Sequence, residues 1–411
     1  MASPALDRLL ARLDRLATVS DEPGRLTRLT WGPAWCEAVG LVRGWMEEAG
    51  LATRLDAVGN LVGRREGRRP GAPALLVGSH LDTVIDAGRF DGVLGVLLAL
   101  AAVEELAVRE KRPAFALEVV AFADEEGVRF PCALTGSRAM AGTLDPAVLG
   151  LTDRDGTTLA EALRASGLDP DGLTGCARKP GEILGFLEAH IEQGPVLEHE
   201  GVALGLVRAI AGATRLEVLV EGRAGHAGTV PMRLRRDALA GAAEMVLAVE
   251  RSARGEAELV ATVGRLEVLP GAVNTIPGRV RFTIDLRSPE DRERTRALAD
   301  LRSDLEEIAR RRRLGLRLVP IHEAPAVACD PALLDALARA RVRLGLPDRR
   351  LVSGAGHDAM AIAAIAPVAM LFVRCRGGIS HDPAEHAAPA DIEAALAVLV
   401  ETIVLLSEEF R

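Results

Sequence analysis

The sequence predicts an α/β fold: a larger domain built on a mostly parallel sheet, into which a smaller ferredoxin-like (α+β) domain is inserted. Three observations lead to this prediction. Short apolar runs suited to buried strands alternate with stretches of helical periodicity. Four of these runs end in polar side chains, as strands do at the functional edge of an open sheet. In the middle of the chain apolar and polar residues alternate, which is typical of strands with one solvated face.

The larger domain is predicted from the first and last parts of the chain. The N-terminal segment MASPALDRLLARLDRL predicts an amphipathic helix. APALLVGSHLDTV predicts a buried parallel strand, and GVLGVLLALAAVEELAVRE predicts the helix that follows it. Three further strands are predicted in FALEVVAFADEEG, ILGFLEAHIEQGP and APVAMLFVRCRGGISHD. Because sites in open α/β sheets are built at the carboxyl ends of strands, the polar residues at these four ends are candidates for function.

The inserted domain is predicted between about residues 212 and 320. TRLEVLVEG predicts a strand, residues 235–251 a helix, and ELVATVGRLEVLP and GRVRFTIDLRS two more strands. Residues 291–313 predict a charged helix, and LGLRLVP a last strand. The order β-α-β-β-α-β is that of a ferredoxin-like sandwich. We therefore expect residues 1–211 and 325–411 to form the larger domain and residues 212–324 the inserted one.

Charge and composition argue against several classes of protein. The net charge of −8 makes a broad basic surface for nucleic acid improbable. The longest apolar runs are shorter than the roughly 18 residues of a membrane span, and the N-terminus lacks the apolar core of a signal peptide. The five cysteines are odd in number and form no C-x-x-C pair, which argues against a disulfide framework. We expect a cytoplasmic protein without nucleic-acid or membrane partners.

Histidines and carboxylates at the predicted strand ends form the strongest chemical signal. Singly, each has an ordinary interpretation: adjacent glutamates usually form a solvated face, and Asp-Gly usually marks a turn. Their conjunction points to a metal site, because nitrogen and oxygen ligands without thiolates suit Zn, Mn, Co or Ni. A bridging carboxylate would hold two ions about 3.5–4 Å apart. The residues are His80, Asp82, Asp91, Glu125, Glu126, His190 and His381.

His80 and Asp82 are predicted two residues apart in one strand, so their side chains should share a face. The carboxylate of Asp82 could then orient the imidazole of His80. His190 and Glu192 repeat this two-residue spacing.

Eight motifs occur in a fixed order along the chain: GSHLDTV, FDGVLGV, ADEEGVRF, HIEQGP, GHAGTVPM, NTIPG, SGAGHDA and SHDPAE. On these motifs the chain resembles the hydantoinase/carbamoylase amidases of the M20 metallopeptidase superfamily. That group includes N-carbamoyl-L-amino-acid hydrolases, β-ureidopropionases and allantoate amidohydrolases. The resemblance covers nearly the whole chain. One small departure is Ala87-Gly88, where relatives commonly carry two glycines.

The resemblance implies a metallohydrolase catalytic domain that holds two divalent metal ions. By position, His80 and His190 look like ligands of one ion, and Glu126 and His381 like ligands of the other. Asp91 resembles the carboxylate that bridges both ions. Glu125 matches the general base, and Asp82 the partner of His80. The histidine of HIEQGP favours the amidase branch over dipeptidases and aminoacylases, which commonly place a carboxylate there.

The resemblance also implies a role for the inserted domain, as the lid and the homodimer interface. His226 resembles a residue that reaches the reacting carbonyl oxygen, in its own or in the partner subunit's site. Asn274, Arg287, Gln193 and Gly356 fall on substrate-binding positions. Arg287 could pair bidentately with a substrate carboxylate, although an ordinary salt bridge at a strand end is its plain alternative. His357 and Asp358 are expected to support the site from beneath.

These implications favour an amidohydrolase that cleaves the ureido C–N bond of N-carbamoyl-L-amino acids, a small ureido carboxylate being the substrate. Glu125 would take a proton from a metal-activated water and pass it to the leaving nitrogen, giving the amino acid, carbon dioxide and ammonia. Allantoate amidohydrolase is the nearest alternative, followed by β-ureidopropionase. Two more distant alternatives are an aminoacylase or dipeptidase, and an inactive binding protein of the same fold.

Overall fold

The protein is described from a computed structural model, which covers residues 4–410. The described chain divides into two compact units. The first contains residues 4–208, 329–351 and 355–410, and the second contains residues 209–328 and 352–354. No helix between residues 4 and 410 combines the length and the apolar character that crossing a bilayer requires.

The helices and strands are numbered along the chain. The helices are α1 Pro4–Ala17, α2 Pro33–Glu48, α3 Val93–Val108, α4 Thr135–Met140, α5 Leu159–Ala165, α6 Val196–Glu200, α7 Ala238–Arg254, α8 Asp291–Arg312, α9 Pro331–Arg343, α10 Asp358–Ile362 and α11 Pro389–Glu409. The strands of the first half are β1 Ala52–Leu55, β2 Leu61–Arg65, β3 Ala74–His80, β4 Ala116–Phe122, β5 Ile183–Ile191, β6 Leu204–Ile210, β7 Gly212–Glu221 and β8 Gly225–His226. Those of the second half are β9 Val260–Thr262, β10 Leu266–Leu269, β11 Thr275–Ile276, β12 Arg279–Ser288, β13 Gly315–Ala324, β14 Val327–Ala328, β15 Arg350–Ser353 and β16 Val368–Val373.

The sheet of the first unit has the strand order β1-β2-β4-β3-β5-β16-β6. The four central strands β4, β3, β5 and β16 run parallel. The outer pairs β1 with β2, β2 with β4 and β16 with β6 are antiparallel. The α/β class is confirmed, and the predicted parallel pairing holds for the central strands; the sheet as a whole is mixed, because its outer pairs are antiparallel. Only the central strands are continuous buried runs of the kind that parallel pairing requires, whereas β1 and β2 are short and joined by a tight loop.

Helix α3 anchors this sheet. Nearly all of its residues are buried, because it packs on β3 while α1 and α11 pack against it from the other side. A helix that is apolar all round is expected to be covered on every side. Consequently α3 begins directly behind the carboxyl end of β3, where the candidate site residues lie.

The second unit contains a five-stranded sheet with the path β10-β12-β7-β13, and β9 also pairs with β12. Helices α7 and α8 pack against each other and against this sheet, around a core that includes Val218, Met245 and Phe282. The prediction of one strand in ELVATVGRLEVLP is wrong, because residues 263–265 separate β9 from β10. At this break the Thr283 hydroxyl accepts a hydrogen bond from the Arg265 N–H, in place of a regular ladder bond. The role of this unit as a lid remains a prediction.

Candidate metal centre

Two histidines lie side by side at the carboxyl end of the central strands. His80 is the last residue of β3, and His190 is the next-to-last residue of the neighbouring β5. Their ring centroids are 5.9 Å apart, and both side chains are buried. The Nδ1 atom of each ring hydrogen-bonds a backbone carbonyl, that of Asp82 at 3.0 Å and that of Ile191 at 2.9 Å. Each Nδ1 therefore carries a proton, so Nε2 is the atom of each ring that can bind a metal ion.

Asp91 lies between these histidines and a third one. Its Oδ1 is 3.0 Å from His190 Nε2 and 3.8 Å from His80 Nε2. Its Oδ2 is 3.2 Å from the Nε2 of His381, which follows β16 in the chain. The two oxygens of one buried carboxylate thus face different histidines, which is the arrangement that a bridging ligand needs.

Glu125 and Glu126 complete the cluster from the loop after β4. Glu126 Oε1 is 3.4 Å from His381 Nε2, and Glu125 Oε2 is 4.0 Å from His80 Nε2. Among the described residues, three groups have ligand atoms within 4.8 Å of one another. The groups are His80-Asp91-His190, Asp91-Glu126-His381 and His80-Glu125-Glu126. The first and second share Asp91, while Glu125 belongs to neither of them.

Electrostatics show that the cluster holds more negative charge than its burial tolerates. Burial and the neighbouring Asp91 raise the pKa of Glu126 to about 8. Burial and Glu126 raise the pKa of Glu125 well above its ordinary value. Burial disfavours a charged His190, yet Asp91 raises the pKa of this histidine to about 9. The hydrogen bond to Asp91 likewise raises the pKa of His381 to about 9. Buried carboxylates whose pKa values are raised in this way fit a site that binds cations.

The position and contacts of Asp82 differ from those predicted from the sequence. Strand β3 ends at His80, so the prediction that Asp82 shares a strand face with His80 is wrong. Asp82 Oδ1 lies 3.7 Å from His80 Nδ1, beyond a hydrogen bond. Its two carboxylate oxygens instead accept the backbone N–H groups of Glu125 and Glu126, at 3.2 Å and 3.1 Å. Asp82 therefore orients His80 through its backbone carbonyl and holds the loop of the two glutamates through its side chain.

Gly92 explains how α3 can begin so close to His80. Its φ of +66° lies in the left-handed region, and a Cβ added there would lie 2.3–2.5 Å from three atoms of the His80 ring. A side chain at this position would push the ring out of place. The glycine after Asp91 is therefore required by both backbone conformation and space.

Two residues near the cluster were not identified from the sequence. Glu385 accepts the backbone N–H groups of Phe90 and Asp91, and Ser380 lies 2.9 Å from Asp91 Oδ2. Both belong to the SHDPAE motif, so proximity to His381 was the only available signal. By contrast, Glu192 has a structural role, because it accepts the N–H groups of residues 196 and 197 at the start of α6.

Other predicted residues of the first unit have clear positions. Gln193 donates from Nε2 to Asp91 Oδ2 at 2.9 Å and adopts a φ of +54°. Gly356 is exposed, and a Cβ there would have only Met360 Sδ nearby, at 3.8 Å. The buried ring of His357 packs edge-on against His190, with centroids 4.6 Å apart. Asp358 is buried as well.

Three predicted substrate residues lie in the second unit. His226 and Asn274 are neighbours there, since Thr275 pairs with His226 between β8 and β11. The Nδ1 of His226 accepts the N–H of Gly228 at 3.1 Å, so the Nε2 of the exposed ring carries the proton. Arg287 forms a bidentate pair with Asp285, at 2.7 Å and 2.8 Å.

Comparison with known proteins agrees with this picture. The model of Peptidase family M20/M25/M40 matches residues 76–404. The chain is 43% identical over 403 residues to an N-carbamoyl-L-amino acid amidohydrolase of Geobacillus stearothermophilus, covering 98% of each. It is 43% identical over 428 residues to an allantoate deiminase of Arabidopsis thaliana, covering 96% of this chain and 81% of the relative. A solved amidase of the hydantoinase/carbamoylase family from Burkholderia multivorans matches with a TM-score of 0.92 at 37% identity, covering 97% of both chains.

Proposed function

Because the chain belongs to peptidase family M20/M25/M40, as the resemblance of its motifs predicted, we propose that it is a metal-dependent amidohydrolase. Its proposed reaction is hydrolysis of the ureido C–N bond of N-carbamoyl-L-amino acids. The observation that carries this proposal is the position of Asp91, whose two oxygens face two separate sets of ligand atoms. The relative from Geobacillus stearothermophilus, which aligns over nearly its whole length, supports the substrate class.

We assign the metal ligands from the two groups that share Asp91. His80, His190 and Asp91 Oδ1 would hold one divalent ion, and Glu126, His381 and Asp91 Oδ2 the other. The donor set fits such ions, since it consists of imidazole nitrogens and carboxylate oxygens with no thiolate. This set does not discriminate among Zn, Mn, Co and Ni.

Glu125 is the proposed general base. When bound, the two cations would lower the pKa of a shared water towards neutrality. Glu125 lies at the cluster without belonging to either ligand group, so its carboxylate is available to accept a proton from that water. As the C–N bond breaks, Glu125 returns the proton to the amino nitrogen. The remaining carbamate fragment gives carbon dioxide and ammonia.

His226 is proposed to stabilise the oxyanion that develops on the ureido carbonyl. Its exposed ring carries the proton on Nε2, because Nδ1 accepts the N–H of Gly228. A fixed donor directed at the developing charge lowers the barrier of acyl transfer. Asn274, which is adjacent across the short ladder between β8 and β11, would bind the substrate beside it.

Arg287 is proposed to bind the substrate carboxylate. In the structure its guanidinium pairs with Asp285, but Asp285 also accepts a hydrogen bond from Arg215 at 2.9 Å. Two arginines sharing one carboxylate leave an excess positive charge on this face of β12. A substrate carboxylate would exchange with Asp285 or with the Gly354 carbonyl, to which Arg287 Nη1 donates, and would gain the planar bidentate geometry that guanidinium favours.

Hydrolysis of allantoate is the second candidate. The Arabidopsis allantoate deiminase is as similar to this chain as the N-carbamoyl amino acid amidohydrolase is, at 43% identity. Allantoate also presents ureido groups and a carboxylate, so the same metal ligands, base and Arg287 would serve it.

We further propose that the protein is a homodimer joined through the second unit. Strand β13 pairs with β7 and has no other partner strand among residues 4–410. Val319 and Ile321 are exposed on it, with 39% and 55% of their surface accessible. Pro320 and the register shift beside it oppose pairing of this edge with another strand, so the proposed dimer contact is packing of these apolar side chains against those of a second copy.

Ammonia release from a panel of ureides tests the proposed function. Metal-free protein is reconstituted with Mn, Zn, Co or Ni and offered N-carbamoyl-L-amino acids, allantoate and 3-ureidopropionate. We expect metal-dependent turnover that is fastest with N-carbamoyl-L-amino acids. Preference for allantoate would establish the second candidate, and binding of metal without turnover of any ureide would contradict the amidohydrolase assignment.

A further inference from the structure

Glu385 is a buried carboxylate to which neither the sequence nor the proposed mechanism assigns a function. Only 4% of its surface is accessible. Its Oε1 accepts the backbone N–H of Phe90 at 2.8 Å and that of Asp91 at 3.0 Å. One side chain from the loop after β16 therefore holds the backbone at the proposed bridging ligand, 294 residues away along the chain.

The second oxygen of Glu385 connects to the same ligand through a hydroxyl. Ser380 Oγ lies 3.1 Å from Glu385 Oε2 and 2.9 Å from Asp91 Oδ2. A hydroxyl has one proton, so Ser380 can donate to only one of these carboxylates at a time. When the proton points to Asp91, it occupies the oxygen that the second cation would need. When it points to Glu385, Asp91 Oδ2 loses this hydrogen bond and keeps the one that Gln193 Nε2 donates at 2.9 Å.

The space around Glu385 holds its carboxylate in place. A Cβ added at Gly88 would lie 2.3–2.4 Å from Glu385 atoms. Only glycine, which has no Cβ, therefore lets the backbone at residue 88 pass this close to the Glu385 side chain. The sequence carries a glycine at this position, in Ala87-Gly88.

We propose that Glu385 is a positioning residue for the metal centre. It holds the backbone of Asp91 so that the carboxylate faces both ligand groups, and it accepts the Ser380 hydrogen bond that would otherwise go to Asp91 Oδ2. This inference rests on the proposed function, because it requires that the cluster bind two cations.

The Glu385→Gln variant separates this role from simple packing. Glutamine has the same shape, and its amide oxygen can still accept the N–H groups of Phe90 and Asp91. Its NH₂ group would then face Ser380 and donate to the hydroxyl, which leaves Asp91 Oδ2 as the only acceptor for the Ser380 proton. The hydroxyl would compete with the cation for this oxygen.

Binding of Co²⁺ provides a measurement that does not depend on turnover. Visible absorption of the bound Co²⁺, titrated against a competing chelator, reports the affinity of each ion and its coordination. We expect the Glu385→Gln variant to bind the second Co²⁺ about 10- to 100-fold more weakly, as is typical for the loss of a group that orients a metal ligand. Adding Ser380→Ala to this variant removes the competing proton and should restore most of the affinity.

Asp382→Asn is the matched control. Asp382 is an exposed carboxylate of the same loop that accepts the N–H of Ala384 at 2.8 Å, and its variant should bind both ions as wild type does. Circular dichroism verifies that each variant is folded.

Two results would overturn the inference. Glu385→Gln protein that binds two Co²⁺ ions with wild-type affinity and spectrum would show that Glu385 has only a packing role. Weakened binding that Ser380→Ala fails to restore would refute the role of the shared proton. Wild-type protein that binds fewer than two ions would instead contradict the proposed function itself, and the inference with it.

Discussion

The carboxylate of Asp82 holds the backbone of Glu125, whose N–H donates to Asp82 Oδ1 at 3.2 Å. The other oxygen, Oδ2, holds Glu126 in the same way at 3.1 Å. One side chain thus fixes the position of the proposed base and of a proposed metal ligand together, although it lies beyond the strand that carries His80.

Asp82→Asn is therefore expected to lower kcat. The amide of asparagine can accept only one of the two N–H groups and opposes the other with its own hydrogens. We expect a loss of about 10- to 100-fold in kcat, typical for groups that orient a catalytic centre, with a smaller change in KM. Steady-state ammonia release measures it, with the exposed Asp155→Asn as control. Unchanged kcat in the Asp82 variant would show that the loop holds its own position.

Glu125→Gln should retain both metal ions and lose activity. Glutamine cannot accept the proton from water, so we expect kcat to fall by about 100- to 10,000-fold. Metal analysis and turnover are measured on the same sample. Glu192→Gln is the matched control, because this glutamate follows His190 by two residues but caps α6. Near-normal turnover of the Glu125 variant would exclude it as the base.

Arg287→Lys should raise KM selectively for substrates with a carboxylate. Lysine replaces a bidentate, charge-assisted pair with a single contact, so we expect an increase of about 10- to 100-fold. Arg215→Lys is the control, since Arg215 shares Asp285 but is not assigned to substrate. An equal effect of the Arg287 change on neutral ureides would refute the carboxylate contact.

The metal-free protein should lose stability as the pH rises. The pKa of Glu126 is raised to about 8, and those of His190 and His381 to about 9. These folded-state values exceed the unfolded ones, so the folded state binds more protons. Their stabilisation is present at low pH, and it is lost between pH 4.5 and about 8 for Glu126 and between pH 6.5 and about 9 for the histidines.

Thermal unfolding with and without metal measures this effect. The Tm of chelator-treated protein should fall from about pH 6 to about pH 9, while the increase in Tm on adding metal should grow, since cations bind the deprotonated ligands. If the increase in Tm on adding metal were the same at every pH, the proposed ligand set would be contradicted.

Mixed dimers can decide where His226 acts. If it completes the partner's site, mixing inactive His226→Ala and Glu125→Gln proteins should regenerate activity through heterodimers with one intact site. Subunit exchange is verified by mass spectrometry. Exchange without recovery would place His226 in the site of its own chain.

Local patterns in the sequence were sufficient for the strands and helices around the site. The apolar runs before His80 and His190 predict β3 and β5, and the all-apolar segment after Asp91 predicts α3, because burial imposes hydrophobicity directly on the chain. The end of a strand was harder to predict. Asp82 continues the pattern of β3, but the chain leaves the sheet at His80, and periodicity does not encode that turn.

The sequence by itself determined which residue types were available: three histidines and four carboxylates at the ends of apolar segments, in motifs that identify the family. Only the tertiary structure decided that one oxygen of Asp91 faces His190 and the other faces His381. It also decided that Glu385, 294 residues away in the sequence, accepts the N–H of Asp91. Contacts of this kind depend on which strands become neighbours and on how the loops beyond them turn. Gln193 and His381, for example, adopt left-handed conformations that are unusual for side-chain-bearing residues. The packing of the whole unit imposes these conformations, so they cannot be predicted from the neighbouring residues in the sequence.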